Sequence, residues 1–94
     1  MKFENSNGVP QVTLYALQTC GHCREAKRFL QQHQIAFRTI FIDLLVGEER
    51  SETMRRLRSI NPACSFPTIT VNQEVVVGFK KEKLRCVLSL PSKE

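Results

Sequence analysis

Cys20 and Cys23 stand two residues apart around Gly21 and His22. Thiols at that spacing either close a small disulfide ring or offer two soft ligands to a metal ion. Their neighbours favour the first chemistry. Upstream, Val12-Thr13-Leu14-Tyr15-Ala16-Leu17 is strand-like, and downstream, Arg24-Glu25-Ala26-Lys27-Arg28-Phe29-Leu30 is helix-like. At a strand-to-helix turn, Cys20 falls at the helix N-terminus. Unpaired N–H groups and the positive end of the helix dipole favour a thiolate there. Cys23 then lies in the first turn, within reach of the first sulfur. The expected chemistry is a reversible dithiol/disulfide couple.

The chain that must position this pair has 94 residues, enough for one small domain with one core. Its 41% apolar content, four prolines and four glycines fit a globular chain. No apolar stretch reaches the length of a membrane span or a signal-peptide core, so a cytoplasmic protein without a membrane partner is expected. The polar start Met1–Gly8 reads as a loose tail, which places a domain over residues 12–90 between tails 1–11 and 91–94. Four cysteines in a secreted chain would suggest stapling, but here two share a CxxC while Cys64 and Cys86 stand alone. A structural zinc site needs four ligands, and Cys64 with Cys86 does not supply a second pair at the right spacing, so no metal ligands are assigned. The net charge of +5 is spread over the helical segments and mixed with Glu. With one tyrosine and no tryptophan, nucleic acid is not an expected partner. Arg55, Arg56 and Arg58 read as a solvated face, with a docking surface for an acidic partner as the alternative.

Periodicity supplies the elements. A strand over Val12–Leu17 precedes a helix over His22–Gln34, whose Ala26, Phe29, Leu30 and His33 share one face. A second strand covers Phe37–Ile42 and ends at Asp43; Leu44–Gly47 connects it to a helix. Glu48 and Glu49 suit the first turn of that helix, Met54, Leu57 and Ile60 form its apolar side, and Asn61-Pro62 stops it. Phe66-Pro67 opens a strand over Thr68–Val71, which turns at Asn72-Gln73 into Glu74–Val77. Gly78 ends this hairpin, and Lys80–Leu90 reads as a last helix with Leu84, Val87 and Leu88 inward. The order β-α-β-α-β-β-α, with a right-handed crossover between the first two strands, predicts an α/β fold. Its four-stranded mixed sheet would be flanked by helices on both faces.

Thr19-Cys20-Gly21-His22-Cys23, then Ser65-Phe66-Pro67-Thr68, then Gly78-Phe79 resemble, in order and spacing, the landmarks of the thioredoxin fold and of its glutaredoxin branch. The resemblance covers about residues 12–90. It implies that Cys20 attacks a substrate disulfide and Cys23 resolves the mixed disulfide. It also implies that Pro67 is a cis-proline facing the CxxC, where the Phe66 backbone pairs with an extended substrate. Thr19, Gly78 and Phe79 would complete the substrate groove. By resemblance the substrate is a protein disulfide, the chain works as a monomer, and no resident cofactor is needed. An iron–sulfur cluster shared between two copies through Cys20 and glutathione is the alternative within the family.

Departures from the family pattern bear on the electron donor. The usual lysine three residues before the first cysteine is Leu17, and the Gly-Gly and Asp that hold the γ-glutamyl end of glutathione are replaced by Gly78-Phe79-Lys80-Lys81. A thioredoxin-reductase-type reductant is therefore favoured, with glutathione as reductant or co-substrate the other expectation. His22 replaces the more usual tyrosine of Pro-Tyr. When protonated it stabilises a neighbouring thiolate, and with it the reduced form. Cys64, three residues before Pro67, is either a third redox thiol or a small buried apolar residue under the loop. Cys86 points away from Leu84 and Leu88 and reads as incidental, while His33 reads as a cap or a core-edge residue.

Overall fold

Val12, Leu14 and Ala16 alternate with Thr13 and Tyr15 along β1 (Val12–Ala16), so the strand offers apolar groups to both faces of a sheet. A strand apolar on both sides belongs in the middle. In the structure, a computed structural model that describes residues 11–90, β1 lies between β2 (Arg38–Phe41) and β3 (Thr68–Val71), with β4 (Glu74–Val77) beyond β3. The expected tails lie outside the described residues except for Gln11. Its N–H donates to Asn72 Oδ1 at 2.9 Å, while the Asn72 N–H donates to the Gln11 carbonyl at 2.8 Å.

The β1–β2 pair is parallel, with Tyr15 opposite Ile40; β1–β3 and β3–β4 are antiparallel, with Tyr15 opposite Thr68 and Val71 opposite Glu74. One face carries α1 (Gly21–Gln32) and α3 (Lys81–Val87). Ala26, Phe29, Leu30 and Leu84 pack there on Val12, Leu14, Ile69 and Val76. The other face carries α2 (Gly47–Ile60), which seats Leu57 on Tyr15 and Ile42. Each side chain of this size that is fully buried stabilises the fold by about 1.5–3 kcal/mol. The architecture is the thioredoxin fold, with a four-stranded mixed sheet between helices.

Several boundaries differ from the sequence expectation, each for a physical reason. The β1–β2 ladder ends at Ala16 opposite Phe41, so Leu17 and Ile42 leave the strands. Ile42–Leu44 forms a 3₁₀ turn that buries Ile42 under α2. Both α1 and α3 stop earlier than periodicity suggests because each ends in a Schellman motif without glycine. After α1, Gln34 takes φ +57°, its N–H reaches the Gln31 carbonyl at 3.0 Å, and Ile35 N–H reaches Leu30 at 2.9 Å. After α3, Ser89 takes φ +58°, and Leu90 N–H reaches Arg85 at 2.8 Å. In α2, Leu57 is fully buried, while Met54 and Ile60 are only half-buried and Thr53 unexpectedly joins the inner face.

Candidate active site

Cys20 is the N-cap of α1, with extended backbone, and its Sγ accepts the Cys23 N–H at 3.3 Å. A donor on the sulfur at the positive end of a helix stabilises negative charge there. Cys20 is partly exposed, whereas Cys23 is buried with Ala26, Phe29 and Leu30. The pair is thus asymmetric, with one thiol at the surface and the other inside. Burial first, then the hydrogen bond with Cys20, pushes the Cys23 thiol up from 9.0 to about 12. The charges of Cys20 and Asp43 add to this, while the Leu17 backbone N–H works against it. His22 and Thr19 are exposed on either side of Cys20.

This raised value has a signed consequence for stability. Folded Cys23 keeps its proton where the unfolded thiol loses it. Its contribution is therefore fully present below pH 9.0 and is lost as pH rises to about 12. In denaturant titrations of the reduced protein, the stability of wild type relative to Cys23→Ala should fall above pH 9.0 by up to about 1.4 kcal/mol per pH unit. A difference that stays flat with pH would contradict the assignment.

The Phe66–Pro67 bond is cis, Pro67 is buried, and Gly78, at φ +85°, donates its N–H to the Pro67 carbonyl at 2.8 Å. That φ suits a residue without a Cβ. The bond ties the end of the hairpin to the proline loop. Phe79 follows and meets Phe29 of α1 edge-on, with ring centroids 5.9 Å apart. Cys20, Phe66 and Phe79 all pack on the core cluster under α1 and α3, and Phe66 also reaches the α2 cluster.

A family model of glutaredoxins matches residues 12–76, from β1 through both cysteines and Pro67 into β4. The chain belongs to the glutaredoxin family. It is similar to the crystal structure of Methanosarcina acetivorans methanoredoxin, at 35% identity and TM-score 0.81, with 87% of each chain covered. It is also similar to the glutaredoxin of Archaeoglobus fulgidus, at 32% identity and TM-score 0.78, covering 93% of this chain and 95% of that one. A glutaredoxin-like 8.6 kDa protein in the rubredoxin operon of Clostridium pasteurianum is 26% identical over 73 residues, covering 78% of this chain and 91% of that protein.

Within this glutaredoxin frame, Leu17 packs against the α2 cluster and carries no charge to the site. Lys80 and Lys81 are exposed beyond Gly78, with Lys81 Nζ 5.9 Å from the Phe79 ring centroid. Cys64 is half-buried at φ +53°, held by its N–H to the Asn61 carbonyl at 2.8 Å; neither core cluster includes it, so it is not a fully buried apolar residue. Cys86 is exposed, as are Arg55, Arg56 and Arg58. His33 is the C-cap of α1, half-buried, with its ring 4.4 Å from that of Phe29. Among the described residues, no three His, Cys, Asp or Glu side chains gather as for a metal ion, and no helix is long and apolar enough to cross a membrane.

Two residues of the site had no sequence signal beyond their polarity. Asn61, read only as a helix stop, is buried, and its Nδ2 donates to Thr68 Oγ1 at 2.9 Å and to Ser65 at 3.3 Å. Thr68 Oγ1 in turn donates to the Ser65 carbonyl at 2.7 Å. These bonds satisfy buried polar groups and fix the loop that carries Phe66–Pro67. Asp43, read only as a strand end, accepts the Gln18 N–H through both carboxylate oxygens, at 3.2 and 3.4 Å.

Proposed function

We propose that the chain is a dithiol thiol–disulfide oxidoreductase. The observation that carries this reading is the asymmetric pair: Cys20 Sγ capping α1 at the surface and Cys23 buried one turn on. The Cys20 thiolate attacks one sulfur of a substrate disulfide, forming a mixed disulfide and expelling the other sulfur as a thiolate. Cys23 then loses its proton and attacks Cys20 Sγ. The Cys20–Cys23 disulfide forms and the second substrate thiolate leaves, so two electrons have passed to the substrate. A protein segment extended along Phe66–Pro67, with Thr19, Gly78 and Phe79 at the sides, is the substrate class this surface suits. His22 lies beside the attacking sulfur and, when protonated, favours the reduced form.

The donor that fits is a thioredoxin-reductase-type protein. Leu17 brings no cation to the site, and Gly78-Phe79-Lys80-Lys81 stands where the family pattern has the Gly-Gly and Asp that hold the γ-glutamyl end of glutathione. The oxidised protein should be reduced at least ~10-fold faster by NADPH and thioredoxin reductase than by NADPH, glutathione reductase and glutathione, read as NADPH consumption. Faster reduction through glutathione would reverse the donor assignment, and a Cys20–Cys23 disulfide that neither system reduces would overturn the function.

A further inference from the structure

The parallel β1 and β2 end at the same edge of the sheet, so the turn after each strand meets the other there. The turn after β1, Leu17–Thr19, leads straight into the CxxC. It has few internal ties of its own; the Cys20 N–H reaches the Leu17 carbonyl at a long 3.3 Å. What holds it from outside is Asp43, in the 3₁₀ turn after β2, with both oxygens on the Gln18 N–H. Leu17 and Gln18 line the same groove as the Cys23 side chain, and the Leu17 amide acts on the Cys23 thiol in the sense that favours the thiolate. The turn that the carboxylate holds therefore abuts the inner thiol. A shift of the turn moves both.

We propose that Asp43 is a positioning residue for the second step of exchange, its carboxylate holding the Leu17–Thr19 turn in place along the groove that the Cys23 side chain lines. The inference rests on the reading of Cys23 as the resolving thiol. A backbone amide close to that sulfur favours the thiolate that must form when Cys23 attacks the mixed disulfide. Asp43 is exposed, and its negative charge acts on Cys23 in the opposite sense to the amide. The other ionisable groups beside Cys23 are Cys20 and, bordering a groove of about 190 Å³ that the Cys23 side chain lines, Arg24 and Lys27 of α1. Removing the carboxylate therefore has two separable effects. Loss of the hydrogen bonds frees the turn, and loss of the charge makes Cys23 easier to ionise.

Asp43→Ala and Asp43→Asn separate them, because asparagine keeps an acceptor for the Gln18 N–H and drops the charge. The measurement is single-turnover reaction of the reduced full-length protein with an aromatic disulfide whose two thiols are released in sequence. Release of the first thiol, which reports attack by Cys20, should stay within about 2-fold of wild type in both variants. Release of the second should slow by ~10-fold in Asp43→Ala and recover most of that loss in Asp43→Asn. The pH midpoint of second-thiol release should move down in Asp43→Asn, a shift that a purely structural role would not produce. A wild-type rate of second release in Asp43→Ala, an equal slowing of both releases, or an unmoved midpoint in Asp43→Asn each overturns the proposal. A wild-type protein that releases no second thiol overturns the role of Cys23 itself.

Discussion

Cys20→Ser should reduce disulfide exchange by roughly 10³-fold or more, while Cys23→Ser should still attack substrate and then stall as a trapped mixed disulfide. The two outcomes differ because the sulfurs occupy different environments. Cys20 sits at the surface on the N–H of Cys23, so a serine there keeps the cap but loses the nucleophile, since an alcohol is scarcely ionised near neutral pH. Cys23 is buried and its thiol is pushed up to about 12, so it stays protonated until a neighbouring disulfide is presented to it. Removing it spares the first step and blocks the second. Mass spectrometry of each variant after incubation with a protein disulfide reads the result directly. An adduct on Cys23 in the Cys20→Ser protein, or full turnover by either variant, would reverse the assignment.

Leu57→Ala should destabilise the protein by about 2–5 kcal/mol and lower its melting temperature by on the order of 10–25 °C. The size of the effect follows from how α2 is attached. The helix is 14 residues long and polar over most of its surface, and Leu57 is its one fully buried apolar side chain, seated on Tyr15 and Ile42. Met54 and Ile60 reach the same cluster but remain half-exposed. Deleting Leu57 leaves a cavity that these two cannot fill without moving the helix. The effect should spread to the Phe66–Pro67 loop, because Asn61 at the end of α2 donates to Ser65 and Thr68 across that loop. Met54→Ala serves as the comparison and should cost much less, measured by denaturant unfolding of both variants. Equal losses would mean that α2 is held by its rim rather than by Leu57.

The features legible in the chain were those carried by local pattern. The alternation of Val12, Leu14 and Ala16 and the spacing of Ala26, Phe29 and Leu30 specify elements that the structure contains, because each depends on residues a few positions apart. The CxxC and Phe66-Pro67 likewise lie within the stretch that marks the family, and both are motifs of adjacent residues. Helix ends were less legible. Gln34 and Ser89 take left-handed backbone conformations where glycine is the usual signal, and the carbonyl partners of the following amides secure them there.

The sequence by itself determined the order of elements, the family and which residues carry thiols, since those follow from composition, periodicity and motif. Tertiary structure decided which thiol is exposed and which is buried, because burial of Cys23 depends on α1 lying over β1 and β3. It also brought Asp43 to Gln18, 25 positions away in the chain, and placed Asn61 against Thr68. A polar side chain's partner is selected by the packing of the whole sheet, and no local pattern encodes it. The CxxC thus names the chemistry, and the folded sheet determines how its two sulfurs differ.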